Sequence, residues 1–241
     1  VFIALVLLMH MGLVSAQENL EHFQPVSNTG VSRSILINFA SIDGVSLKVG
    51  DEIAVYDDTL CVGAYKVERR DDGNLFPLAF PAIFEANAVG TILPGAREGE
   101  PIIFKIWDKE SDSEVEATPS GFLKGSGYFK EQEYITEVSS LNANVSVVTI
   151  KTDPAGLEFT IDGFTFTTDS NGEKEYLCNV GKTYTVSVDT LQPVDGVQNE
   201  RYRFNRWSDG QDWEHTFTTP SSDWTLTAEF DIEYKLTVNG I

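Results

Sequence analysis

The sequence holds 241 residues, with 37 Asp and Glu against 17 Lys and Arg, for a formal charge of −20 at pH 7. A field of that sign repels nucleic acid and anionic lipid, which excludes both as partners. Two cysteines are too few for a disulfide framework, and Leu60-Cys61-Val62 and Leu177-Cys178-Asn179 set each among strand-like neighbours, which favours two buried thiols over a bridge.

In chain order, residues 1–16 come first. They form an apolar run without Lys, Arg, Asp or Glu, and Val14 and Ala16 stand where a signal peptidase prefers its residues. The run is shorter than the roughly 20 residues of a spanning helix. It reads as a partial signal peptide cleaved before Gln17, with an uncleaved anchor as the alternative. The mature chain is therefore expected to be secreted or at the cell surface, with no membrane insertion.

Short alternating runs separated by turn residues then predict antiparallel sheets, and no later segment has helical periodicity. Ser34-Ile35-Leu36-Ile37-Asn38-Phe39 reads as a strand. Ile53-Ala54-Val55-Tyr56 and Leu60-Cys61-Val62-Gly63-Ala64-Tyr65 flank the turn Asp57-Asp58 as a hairpin. Residues 68–96, interrupted by Pro77 and Pro81, carry no placeable motif. Ile102-Ile103-Phe104-Lys105-Ile106-Trp107 leads through an acidic turn into Glu114-Val115-Glu116-Ala117, and Tyr134-Ile135-Thr136-Glu137-Val138 ends the set. The expected fold class is all-β: a first β-sandwich over residues 17–140, a boundary near 139–145, and a second, Ig-like sandwich over 145–231. In the second, Asp162-Gly163 and Asp209-Gly210 read as hairpin turns. Residues 232–241 read as the start of a truncated further repeat, because Leu236-Thr237-Val238 echoes Val148-Thr149-Ile150.

Catalysis finds no motif. There is no Gly-x-Ser-x-Gly, Cys-x-x-Cys, His-Glu-x-x-His or phosphate-cradling Gly loop. His22 reads as part of a ragged start and His215 as an exposed strand residue, so no catalytic residue and no organic cofactor are expected. Asp108, Glu110 and Asp112, followed by Glu114, place hard oxygen ligands at alternate positions and are candidate calcium ligands, although Ser113 stands where an EF-hand loop needs Gly. The competing reading is a solvated hairpin tip. Trp213 and Trp224 lie near turns and are candidate sugar-stacking residues, with core packing as the alternative; Trp107 and Trp207 sit inside apolar runs and read as core.

Thr152-Asp153-Pro154-Ala155-Gly156-Leu157-Glu158-Phe159-Thr160-Ile161-Asp162-Gly163, Trp207-Ser208-Asp209-Gly210 and Ala228-Glu229-Phe230 give residues 147–231 their character. The stretch resembles a divergent internalin B-repeat, with a PEGA-like opening. The first module, through Val49-Gly50-Asp51-Glu52-Ile53-Ala54-Val55-Tyr56-Asp57 and Gly99-Glu100-Pro101-Ile102-Ile103-Phe104, resembles a β-sandwich of secreted multidomain proteins of Bacteroidetes. These resemblances imply a non-catalytic binding, spacing or display region of a bacterial surface protein. Its implied partners are neighbouring domains of a longer chain and an extracellular glycan or protein. The alternative is an accessory, carbohydrate-binding region of an extracellular polysaccharide-degrading enzyme.

Overall fold

The computed structural model describes residues 19–194, 197 and 199–234. The signal-like run and the echo at 236–238 lie outside them, and residues 232–234 are the end of the last strand. Among the described residues there is no helix; the chain is all-β and divides between Asn144 and Val145 into two compact units.

The first unit contains β1 (Ser32–Ile37), β2 (Ala40–Ile42), β3 (Val45–Ser46), β4 (Glu52–Asp57), β5 (Leu60–Lys66), β6 (Leu78–Ile83) and β7 (Ala86–Ala88). After these come β8 (Thr91–Leu93), β9 (Ile103–Asp108), β10 (Ser113–Pro119), β11 (Phe122–Lys124), β12 (Ile135–Val138) and β13 (Leu141–Ala143). They build a four-stranded sheet, β11-β12-β1-β6, a seven-stranded sheet, β3-β2-β13-β10-β9-β4-β5, and the hairpin β7-β8. Alternation sends Ile53 and Val55 to the same face as their partners Ile106 and Phe104, and these meet Val115 and Ala117 of β10. All six are buried. Gly63 of β5 comes so close to β6 that a β-carbon on it would stand 2.2 Å from the Pro81 carbonyl oxygen.

Strand β6 falls in the stretch left without a motif. Pro81 breaks a strand pattern because it cannot donate to a ladder, yet β6 is the edge of its sheet and pairs only with β1, so no bond is lost.

The second unit contains β14 (Val145–Asp153), β15 (Glu158–Ile161), β16 (Phe164–Thr167), β17 (Glu173–Asn179), β18 (Thr183–Ser187), β19 (Leu191–Pro193), β20 (Glu200–Trp207), β21 (Glu214–Thr218) and β22 (Trp224–Tyr234). Its sheets run β17-β14-β22-β20-β19 and β16-β15-β18-β21. The core joins alternate residues of both, among them Val148, Ile150, Phe159, Val186, Phe217 and Leu226, around Trp207. A bulge between Phe204 and Arg206 lets Trp207 follow Phe204 onto the inner face, opposite the small Ala228.

The pairings are not all antiparallel. β1 with β12, β2 with β13 and β14 with β22 are parallel, each bringing an early strand against a late one of its unit. Asp162-Gly163 turns the β15–β16 hairpin with φ of 46° and 87°, as expected. Asp209-Gly210 does not close a hairpin: β20 and β21 belong to different sheets, so this dipeptide opens a connection from one sheet to the other.

Candidate functional site

The chemistry-bearing side chains of the first unit gather on the outer face of β5-β4-β9-β10. Glu52, Ala54 and Tyr56 point there from β4, opposite Lys66, Ala64 and Cys61 of β5, with Lys105 and Trp107 of β9 and Glu114 of β10 alongside. A strap, residues 19–26, lies across them. Glu52 is fully buried, and its two carboxylate oxygens accept the backbone N–H groups of Glu21, His22 (3.2 Å) and Phe23 (2.9 Å). Phe23 is buried with Ala54, Cys61, Ala64 and Trp107. The His22 ring stacks on Trp107 at 5.1 Å, and its Nε2 meets Glu114 Oε2 at 2.9 Å. His22 is therefore part of a packed cluster, not of a ragged start.

The electrostatics are those of a closed network. Lys105 Nζ donates to Glu114 Oε1 at 2.6 Å and sits 4.4 Å from the Tyr56 ring centre. Burial pushes the Glu114 carboxyl up, but bonds from His22 and Lys105 outweigh it and hold the group below its ordinary value. Lys109 and then Lys66 hold the Glu21 carboxyl down to about 2. Burial pushes the Cys61 thiol up to about 11 and the Tyr56 phenol upward as well, so neither is ionised near neutrality. A protonated thiol beside a protonated phenol supplies neither nucleophile nor base.

The acidic hairpin tip is committed elsewhere. Asp108 Oδ1 accepts from Ser111 N and Oγ, each at 2.7 Å, Glu110 pairs with Lys48, and Asp112 Oδ1 accepts from Trp107 Nε1 at 2.9 Å. Glu114 faces Lys105 and His22. Each of the candidate calcium ligands thus answers a different protein donor, and among the described residues no group of three or more His, Cys, Asp or Glu is arranged to hold a metal ion.

A second buried carboxylate organises the loop after β8. Asp57, 1% exposed, accepts from Arg97 N (2.8 Å), Nε (2.9 Å) and Nη2 (2.7 Å). The Arg97 bonds hold its carboxyl below the usual range. A depressed folded-state value stabilises the protein above the unfolded value, near pH 4, and that stability is lost as pH falls through the folded value. Asp51, whose carboxyl burial raises, works the other way: it takes up a proton earlier in the native state and offsets part of the loss. The first unit's melting temperature is expected to fall below about pH 4. Asp57→Asn should cost about 1–3 kcal/mol at pH 7, the range for a hydrogen-bonded buried charge, and should flatten that acid slope. Thermal melts from pH 3 to 7 check both.

In the second unit, Trp213 is 46% exposed, while its carbonyl is pinned by Val188 N (3.1 Å) and Trp207 Nε1 (3.3 Å). Trp224 is half-buried against Phe217, their rings 5.3 Å apart. Trp224 opens β22 opposite Val148, whereas Trp207, whose Nε1 donates to the Trp213 carbonyl, pairs with Ala228 further along the strand. His215 is not an exposed strand residue. Its side chain is 7% exposed, edge-on to Trp207 at 5.7 Å, with Nδ1 donating to Asp212 O and Nε2 lying 3.1 Å from Asp209 Oδ2. A groove of about 440 Å³ runs past Gly156, Glu158, Asp189 and Tyr202. Within its lining, the Gln192 amide both accepts from Glu158 N and donates to Glu158 O at 2.8 Å. Sequence reasoning missed both the Glu52 cluster and this groove.

Both Cys61 and Cys178 are free and buried, and burial pushes Cys178 up to about 12.

No protein-family model matches the chain, and no curated protein matches it. The B-repeat, PEGA and Bacteroidetes likenesses therefore stand on their motif residues alone. Among solved structures, the shaft pilin SpaA from Lactobacillus rhamnosus GG aligns over 83% of this chain and 98% of its own, with 10% identity and a TM-score of 0.29. The pilus adhesin SpaC from Lactobacillus rhamnosus GG, in its open conformation, aligns over 85% of this chain and 32% of its own, with 12% identity and a TM-score of 0.24. Scores in this range do not establish a shared fold, and the architecture rests on the chain's own strands.

Proposed function

We propose that this chain is a non-catalytic, extracellular binding and spacer region of a multidomain bacterial surface protein, used in adhesion or display. One observation carries the reading: the side chains capable of chemistry are consumed inside each unit, by ion pairs, backbone donors and cores. Glu52, Asp57, Glu114 and His215 all hold their own chain together. Two separate cores joined through Asn144, the single residue between β13 and β14, suit a modular array. The signal-like residues 1–16 favour export, and the B-repeat likeness favours a spacer.

Recognition in this reading uses surface side chains, and Trp213 is the more exposed of the two candidate sugar-stacking tryptophans. Binding of the intact chain to an immobilised polysaccharide panel, with turnover measured in parallel, tests the proposal. Binding without turnover is expected, and Trp213→Ala should weaken any glycan signal by up to about tenfold, the value of one aromatic stacking contact. Hydrolysis of any panel member by the purified chain would contradict it.

A further inference from the structure

We propose that the outer face of β5-β4-β9-β10 is a receptor site for a peptide that bends at an acidic and an aromatic residue, as Glu21-His22 do in the strap. The chain's own residues 19–26 occupy it in cis, and the same segment of a second copy of this chain is its ligand in trans.

The strap is bound as a ligand is bound. It belongs to neither sheet, and its one ladder-like contact is Val26 N donating to Cys61 O at 3.0 Å. Its other backbone anchorage comes from side chains: Glu52 gathers three consecutive N–H groups, and Lys66 Nζ donates to Asn19 O at 3.3 Å. That is recognition of main chain by side chains, the reverse of strand addition.

Side chains are read one by one. Lys66 and Lys109 converge on the carboxylate at position 21. Trp107 and Glu114 take the ring at 22 from its face and its Nε2. Ala54 and Ala64, directly paired across β4 and β5, leave with Cys61 a recess that the Phe23 ring fills. Small residues at paired positions in otherwise bulky strands make this socket a property of the sheet, not of the strap.

The strap is also separable. Asn19, Glu21 and Gln24 are exposed, and Phe23 is its one fully buried side chain. Segments with few buried contacts open before the fold does. Once opened, the face presents Glu52, Glu114, Lys66, Lys105 and Lys109, which water solvates well, so the empty site stays soluble. Three lysines against the two carboxylates Glu52 and Glu114 leave this face a positive excess within a chain of charge −20, and two of them, Lys66 and Lys109, match the segment's one carboxylate, Glu21. Every copy carries both the socket and its ligand, so a strap released from one copy finds an equivalent socket on another. Cis occupancy wins in dilute solution because the tether keeps the effective concentration of the strap high.

The decisive probe is a fluorescent peptide of residues 19–26, titrated by polarisation into a chain that begins at Ser27. Saturable binding is expected. It should weaken by about tenfold or more with Glu52→Gln in the chain or with Phe23→Ala in the peptide. Absence of saturable binding to the folded truncated chain, or binding indifferent to both changes, overturns the proposal. Hydrogen exchange on the intact chain keeps the test open if the truncated form does not fold. The amides of Glu21, His22 and Phe23 should exchange about a hundredfold faster than those of the central strand β4. Equal protection of the two would show the strap to be a fixed part of the fold and would refute the exchange.

Discussion

Trp207→Ala should strongly destabilise the second unit and leave the first unchanged. Trp207 is fully buried, donates Nε1–H to the Trp213 carbonyl, and packs against Phe204 and His215. Truncating a fully enclosed indole removes its transfer energy and leaves a cavity whose walls, held in two hydrogen-bonded sheets, collapse only partly; the expected cost is about 3–5 kcal/mol. For a domain of this size that is a fall of roughly 15–30 °C in melting temperature. The loss is confined to the second unit because Trp207 belongs to a core drawn entirely from residues after Asn144. Calorimetry should show one transition moving and the other in place. Trp207→Phe should recover most of the packing and lose about 1 kcal/mol for the indole hydrogen bond.

Gly63→Ala should do the converse. The new methyl would stand 2.2 Å from the Pro81 oxygen, 3.1 Å from its carbonyl carbon and 3.2 Å from the Ala82 α-carbon. All three are backbone atoms of β6, whose six residues are tied to β1 along its length. No side chain can rotate away, so β5 and β6 must separate, opening the contact between the unit's two sheets. Overpacking costs typically up to about 3 kcal/mol, and a backbone clash on both sides of a sandwich belongs at or above that figure. Gly121→Ala is the control: its β-carbon meets nothing within 4 Å. Thermal melts of the two variants should differ by more than 10 °C in the first transition, about what 3 kcal/mol makes in a domain of this size, with the second unchanged.

Much of this architecture was legible in the residues. The β4–β5 and β9–β10 hairpins follow from alternation around Asp57-Asp58 and the acidic turn, and Trp107 and Trp207 are core residues in apolar runs. The parallel pairings were not legible, because alternation fixes which face a residue takes and says nothing of which distant strand lies beside it. β6 was hidden by Pro81, whose cost vanishes at a sheet edge. His215 was readable after all: it shares parity with Phe217, and their partners Val186 and Tyr184 are both buried, so it faces inward. The Glu52 site was beyond reach. An acid at the head of a strand reads as solvent-facing, and the donors that bury it come from a strap about thirty residues upstream that has no secondary-structure signal of its own.

The account depends on two sheet-only units, each with a sufficient core of its own. Expressing residues 19–144 and 145–234 as separate chains and following each by circular dichroism and thermal melting tests this most directly. The prediction is two β-rich, cooperatively folded pieces whose transitions reproduce those of the intact chain. A piece that stays unfolded alone, or that shows substantial helix, would contradict it.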